Sequence, residues 1–173
     1  GGQGLTHDGN ILYLLDSRGR DLNVLKEINL ETKVEKVLAE GKQAEIGGVM
    51  ANPATGIIEA YSVNYLREEW TCLDKTIEMH LDTLKQTLKG EIKVVSRTLD
   101  DSLWVVADSK DDGPVGFYLY RKTDKQPIFL FNHRDDLNNY KLAKMECVVI
   151  KARDGLELPS YITRPVGTTG PVP

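Results

Sequence analysis

Apolar residues along the chain fall into short runs broken by clusters of Asp, Gly, Pro, Asn and Lys. The stretch 92–132 shows the pattern most fully. Residues 92–98 (IKVVSRT), 103–109 (LWVVADS), 116–121 (GFYLYR) and 127–132 (PIFLFN) are separated by Asp-Asp-Ser, Asp-Asp-Gly-Pro and Thr-Asp-Lys. Val, Ile, Phe, Tyr and Trp pack well on a pleated surface, whereas Asp, Gly and Pro supply the conformations that tight turns need. The pattern predicts a four-stranded antiparallel meander.

The meander recurs. Ile11, Ile57 and Leu103 each open an apolar run just after a turn, and they stand 46 residues apart (57 − 11 and 103 − 57). Thr6, Asn52 and Thr98 hold the same register ahead of those turns, and Val24, Trp70 and Gly116 hold it where the third strand begins. A period of about 40 to 50 residues with four strands per unit is the signature of propeller blades. Three units are visible, the first lacking its opening strand. Its strands are expected at 11–17 (ILYLLDS), 24–30 (VLKEINL) and 34–38 (VEKVL). The second unit starts near Ile46, turns at 52–56 (NPATG), and continues through 57–63 (IIEAYSV) and 70–73 (WTCL).

The second unit then changes period. Between 75 and 89, Ile77, Leu81, Leu84 and Leu88 follow at steps of four, three and four, which is helical spacing. Asp74 is placed to cap the helix N-terminus and Gly90 to stop it. The helix is expected in place of the outermost strand, or ahead of a displaced one, with His80 on its polar side. After the third unit the register breaks at 134–140 (RDDLNNY). Strands at 145–152 (MECVVIKA) and 156–163 (LELPSYIT) flank Arg-Asp-Gly, and Asp-Gly between alternating runs is a strong hairpin signal. Residues 166–173, rich in Gly, Thr and Pro, read as a linker or a cut end. Three blades do not close a ring that typically takes four to eight, so the expected architecture is mostly β: a partial propeller with one inserted helix, followed by a hairpin.

Composition narrows the function classes. The chain has 173 residues, 40% hydrophobic and 28% charged, which is globular rather than disordered. Its net charge is −4 with the two signs interspersed, unlike the basic footprint of a nucleic-acid binder. No apolar run approaches the roughly 18 residues of a membrane span, and the N-terminal GGQGLTHDG is unlike a signal peptide, so a cytoplasmic location is the default expectation. Cys72 and Cys147 show no zinc-ligand spacing and read as small buried hydrophobes.

Candidate chemistry is sparse. A serine hydrolase elbow needs G-x-S-x-G, and the sequence has none. Ser96, Asp100 and His133 do not make a triad by their presence alone, and Ser96 falls on an expected strand. His80 and Asp82 lack the further ligands a metal would need. Arg18 and Arg20 could grip a carboxylate, or simply pair with Asp16 or Asp21. Trp70 and Trp104 are read as core aromatics rather than a ligand cage. No catalytic, cofactor-binding or metal residue is therefore assigned in this chain, and no cofactor.

The runs SRTLDDSLWVVADSKDDGPVGFYLYR, IFLFNHRDDL and LAKMECVVIKARDGLELPSYITRP resemble the propeller-to-hydrolase junction of the prolyl oligopeptidase family of serine peptidases, in particular its dipeptidyl aminopeptidase and acylaminoacyl peptidase type. The helix segment KTIEMHLDTLKQTLKG fits as well. The resemblance covers roughly residues 57–165, with departures at Arg134-Asp135-Asp136 and at Arg164. It implies that residues 1–143 are the C-terminal blades of a β-propeller and that 144–173 open an α/β-hydrolase domain. The oxyanion loop, serine elbow, aspartate and histidine would follow beyond this chain. The chain would then gate access of short peptide substrates and be inactive alone, with Trp104 and the strand 156–162 important for packing. Two alternatives stand beside it, a non-catalytic propeller serving as an interaction platform and a pseudoenzyme. Partners expected are peptide substrates through the following domain, with neither nucleic acid nor membrane, and self-association through open blade edges.

Overall fold

A computed structural model of the chain describes residues 1–168 and Gly170. It is mostly β, with four antiparallel sheets and one α-helix. The first sheet is a meander of β1 (Gly2–Leu5), β2 (Ile11–Asp16), β3 (Val24–Asn29) and β4 (Glu35–Glu40), in that spatial order. The second has three strands, β5 (Ile46–Ala51), β6 (Ile58–Asn64) and β7 (Glu68–Cys72), and is followed by α1 (Lys75–Thr87). The third is β8 (Glu91–Arg97), β9 (Leu103–Ser109), β10 (Gly116–Arg121) and β11 (Gln126–Asn132). A 3-10 helix at Asp135–Asn139 leads to the hairpin of β12 (Met145–Lys151) and β13 (Glu157–Thr163).

The repeat expected from the 46-residue spacing is present, and the first unit is more complete than its sequence suggests. It has an opening strand, β1, pairing antiparallel with β2. GQGL carries no apolar run, and a register shift between Gly2 and Gly4 breaks the alternation that would have marked it. The register positions Thr6, Asn52 and Thr98 all cap the turn between the first two strands of their sheets. The Thr6 Oγ1 accepts the Ile11 amide at 2.9 Å and donates to Asp8 at 2.6 Å. Asn52 Oδ1 accepts the amides of Ala54 and Thr55 at 2.9 and 3.1 Å, and Thr98 Oγ1 donates to Asp100 at 2.6 Å. Asn52 reaches its own backbone two and three residues on, whereas each threonine holds an aspartate that accepts the amide two residues further, Asn10 or Ser102.

The chain divides into two compact units. The first comprises residues 1–81 together with 97–102. Its core is Tyr13, Leu25, Ile46 and Ile58, contributed by the first and second sheets, with Leu15, Leu38 and Tyr61 packed around them. Gly56, at φ +75°, closes the β5–β6 turn against the first sheet, where a Cβ would come 2.7 Å from the Leu5 carbonyl oxygen. His7 completes that junction, its amide donating to the Thr55 carbonyl at 2.9 Å.

The second unit comprises residues 82–96 and 103 onward. Trp104, Val106 and Tyr120 are fully buried there, and Trp104 lies opposite Tyr120 on adjacent strands with ring centroids 5.7 Å apart. The expected core role of Trp104 is met. The strand 156–162 differs, since Leu156, Leu158 and Tyr161 are exposed: in this chain the hairpin makes its extensive contacts within itself. On β11, Ile128, Phe129, Leu130 and Phe131 are likewise exposed.

The helix buries Ile77, Leu81, Leu84 and Leu88 as its spacing requires, and the second sheet ends at three strands, so α1 follows where an outermost strand would lie. Asp74 caps it, its Oδ1 accepting the Thr76 amide at 2.7 Å. His80 is a correction, being 7% exposed rather than on the polar side. It follows Ile77 by three and precedes Leu84 by four, which puts it on the edge of the apolar stripe. Gly90 also acts differently from a left-handed cap. Its amide donates to Asp108 Oδ1 at 2.6 Å, and a Cβ would come 2.2 Å from the Ser109 carbonyl oxygen. Cys72 and Cys147 are half-buried rather than core residues. Of the expected linker 166–173, residues 169 and 171–173 lie outside the described residues.

Close approach at Gly90 makes a specific prediction. Gly90→Ala should cost about 1–3 kcal/mol through overpacking against backbone that cannot give way. Gly47→Ala, where no atom lies within 4 Å of the added Cβ, should stay within about 0.5 kcal/mol of wild type. Urea midpoints of the two variants check this.

Candidate functional site

The residues that could have formed a triad are scattered by the strands that carry them. Ser96 is exposed on β8, Asp100 sits on the β8–β9 turn with its carboxylate taken up by Thr98 and Ser102, and His133 is exposed just past β11. His80 is buried while Asp82, two residues on, is exposed. Among the described residues no group of three or more His, Cys, Asp or Glu is placed to hold a metal ion. Arg18 pairs with Asp16 at 2.9 Å, whereas Arg20 reaches Glu40 at 3.2 Å rather than Asp21.

Polar groups are instead concentrated in joints of the repeat. Asp16, Ser62 and Asp108 stand 46 apart (62 − 16 and 108 − 62) and are all buried near the end of the second strand of their sheets. Asp16 accepts Arg18 and Lys26, Ser62 donates to Glu68 at 2.8 Å, and Asp108 accepts the Gly90 amide and pairs with Lys110 at 3.3 Å. The register that revealed the blades contains this position too; it escapes a reading that follows apolar residues only. Hydrogen bonds from Arg18 and Lys26 hold the Asp16 carboxyl far below the usual carboxylate range.

A second joint lies within the first unit. Arg97 grips Asp101 with two nitrogens, each at 2.5 Å, and reaches Glu59 Oε2 at 2.7 Å and the Ala51 carbonyl at 3.0 Å. Asn52 Nδ2 donates to the other Glu59 oxygen at 2.8 Å, so the residue that caps the β5–β6 turn also anchors the ion pair. The Arg97 side chain is 6% exposed and that of Glu59 5%. Burial opposes the Arg97 charge, but the hydrogen bonds it donates to Asp101 and Glu59 outweigh it and hold the guanidinium pKa above its ordinary value. A planar fork with several donors suits this double carboxylate, and Lys could not reproduce it.

Among the described residues, open clefts offer places where a ligand could lie, two of them as follows. One in the first unit, about 620 Å³, has Tyr61, Val63 and Tyr65 as a wall, with Glu40, Lys42 and Arg67 among its charged lining. One in the second unit, about 580 Å³, lies beside Asp112, Tyr140, Lys144, Glu146 and Arg164. Neither brings a serine or cysteine together with a histidine. What these surfaces can do chemically is bind and position.

The fold and these joints define a run of blade-like β-meanders held by side-chain caps and ion pairs. Comparison with known proteins gives the particular relationship: the chain resembles dipeptidyl aminopeptidases and the wider prolyl oligopeptidase family of serine peptidases. It is 39% identical over 162 residues to dipeptidyl aminopeptidase BIII of Pseudoxanthomonas mexicana, a match covering 94% of the chain and 24% of the relative. It is 28% identical over 158 residues to dipeptidyl peptidase family member 6 of Caenorhabditis elegans, covering 90% and 21%. Among solved structures, Porphyromonas gingivalis dipeptidyl peptidase 4 superposes with a TM-score of 0.62 at 12% identity, over 96% of the chain and 24% of that structure. Prolyl oligopeptidase B of Galerina marginata superposes with a TM-score of 0.60 at 15% identity, over 94% and 23%. These likenesses establish the fold. No family model matches the chain. The chain spans about a quarter or less of the length of the curated relatives it matches.

Two predictions follow from the joints. Arg97→Met leaves the buried Glu59 and the half-buried Asp101 without this counter-charge and should cost about 3–5 kcal/mol in urea unfolding, with Arg97→Lys losing less because one charge survives. The second concerns pH. The folded Asp16 carboxyl titrates below its unfolded value of about 3.9, so its stabilising effect is complete above that pH. As pH falls further the unfolded chain takes up the proton first, and stability drops until the folded carboxyl also protonates. Asp16→Asn should therefore flatten the loss of stability below about pH 4, checked by melting temperature against pH.

Proposed function

We propose that the chain is the last part of a propeller and the opening hairpin of the catalytic domain in a serine peptidase of the dipeptidyl aminopeptidase type, and that its role is to gate access of short peptides. The observation that carries this reading is the 39% identity to a dipeptidyl aminopeptidase over 94% of the chain. Three further features support it. The chain's own polar groups are engaged in turn caps and ion pairs rather than in a nucleophile and base. The β12–β13 hairpin makes its extensive contacts within itself and keeps Leu158 and Tyr161 exposed, as suits a segment that a following domain would cover. The exposed Ile128–Phe131 run on β11 offers a second surface for such a domain.

Under this reading the division of labour is physical. A ring of blades limits which peptides reach the active site by width alone, while acyl transfer needs an activated serine and oxyanion donors located elsewhere. The interaction-platform alternative gives no reason for the hairpin 145–163 to follow the last blade. A pseudoenzyme would share every feature described and differ in the catalytic domain alone.

The test is enzymatic. The 173-residue chain should release no product from dipeptidyl chromogenic substrates, whereas the whole protein containing it should cleave them and be inactivated by a phosphonylating reagent that labels one serine. Turnover by the isolated chain would overturn the division of labour. A whole protein that neither cleaves nor reacts would leave the platform or pseudoenzyme reading in its place.

A further inference from the structure

We propose that the β9–β10 loop, residues 110–115, is a latch that fixes the direction in which the β12–β13 hairpin leaves the third sheet. The loop is held at both ends. Lys110 Nζ pairs with the buried Asp108 at 3.3 Å, and the Val115 carbonyl accepts the His133 amide at 2.9 Å. Between those anchors the tip presents two consecutive carboxylates, Asp111 and Asp112.

The chain comes back to meet them. After β11 the 3-10 helix at Asp135–Asn139 carries it away from the sheet, its start tied by Asn132 Nδ2 donating to Asp135 at 2.8 Å. Residues 140–144 then return it to the loop. There Asp111 Oδ2 accepts the backbone N–H of Met145 at 2.8 Å, and Asp112 faces Lys144 Nζ at 3.8 Å. Two neighbouring acids thus hold two neighbouring residues, the last before the hairpin and the first within it.

The chemistry explains why this acts as a latch and not as a core contact. A carboxylate accepting a main-chain amide sets the position of the backbone itself, which no side-chain pair in the hairpin can do. The hairpin makes its extensive contacts only between its own strands, and a two-stranded ribbon has little packing with which to hold a direction. Lys144 is 81% exposed, so its pairing with Asp112 is weak and screened by salt. Asp111 is accordingly the catch, Asp112 the salt-sensitive guide. Release of the catch leaves both the third sheet and the hairpin intact and frees the chain from Lys144 onward to reorient.

This inference stands on the loop contacts and is independent of the peptidase reading, because its test reads single amides of the chain and no activity. Hydrogen exchange followed by NMR should find the Met145 amide protected in the wild-type chain. In Asp111→Ala its exchange should rise by about tenfold or more, the scale of one hydrogen bond to a charged acceptor, while Tyr118 and Leu119 in β10 keep their protection. Asp111→Asn, whose amide oxygen can still accept, should restore part of it. Unchanged Met145 exchange in Asp111→Ala would overturn the proposal. So would a loss of protection spread equally to Tyr118 and Leu119, which would make Asp111 a general support of the sheet.

Discussion

A meander of three or four short strands is too thin to bury its own apolar face, so each sheet in this chain must be completed by something outside itself. In the first unit the completion is explicit. The first and second sheets share one core around Tyr13, Leu25, Ile46 and Ile58, and the turn between β5 and β6 is seated on the first sheet through Gly56 and His7. Arg97 then ties Glu59 of β6 to Asp101 of the β8–β9 turn. Apolar burial supplies the attraction between the first two sheets, but it is non-directional; the turn caps and the ion pair add direction within the first unit.

The same repeat position serves different chemistry in different sheets. At the end of the second strand an aspartate in the first and third sheets draws in a basic side chain two residues on, Arg18 or Lys110, whereas a serine in the second sheet bonds Glu68. A buried polar group is tolerated only when its bonds are made, so each substitution at this position carries its partner with it. The consequence for function is that most of the conspicuous charged residues are already engaged in the architecture.

Much of this was legible in the amino-acid sequence. The 46-residue spacing located three meanders and nine of their strands to within a residue or two, the step pattern of Ile77, Leu81, Leu84 and Leu88 located the helix, and Asp-Gly located the hairpin. These features are local, or repeated, and each leaves a pattern of residue types. β1 left none, because Gly-Gln-Gly-Leu pairs through its backbone. His80 is hard to place because it sits on the border of the apolar stripe, where its polar side chain suggests exposure and its position decides burial. The strand 156–162 reads as a packing element from its apolar residues, yet Leu156, Leu158 and Tyr161 lie exposed, because burial depends on what a strand packs against and not on its own composition.

Sequence alone therefore determined the periodic part of the protein: strand, turn, helix, the absence of a serine elbow, and the family that the chain resembles. Tertiary structure decided which polar residues meet. Glu59 and Arg97 are 38 residues apart, Asp111 and Met145 34 apart, and nothing in their own neighbourhoods announces the pairing. Periodicity arises from the backbone's own geometry and can be read from one strand at a time. A buried ion pair or a loop latch depends on two distant segments arriving at one place, and only the folded chain brings them there.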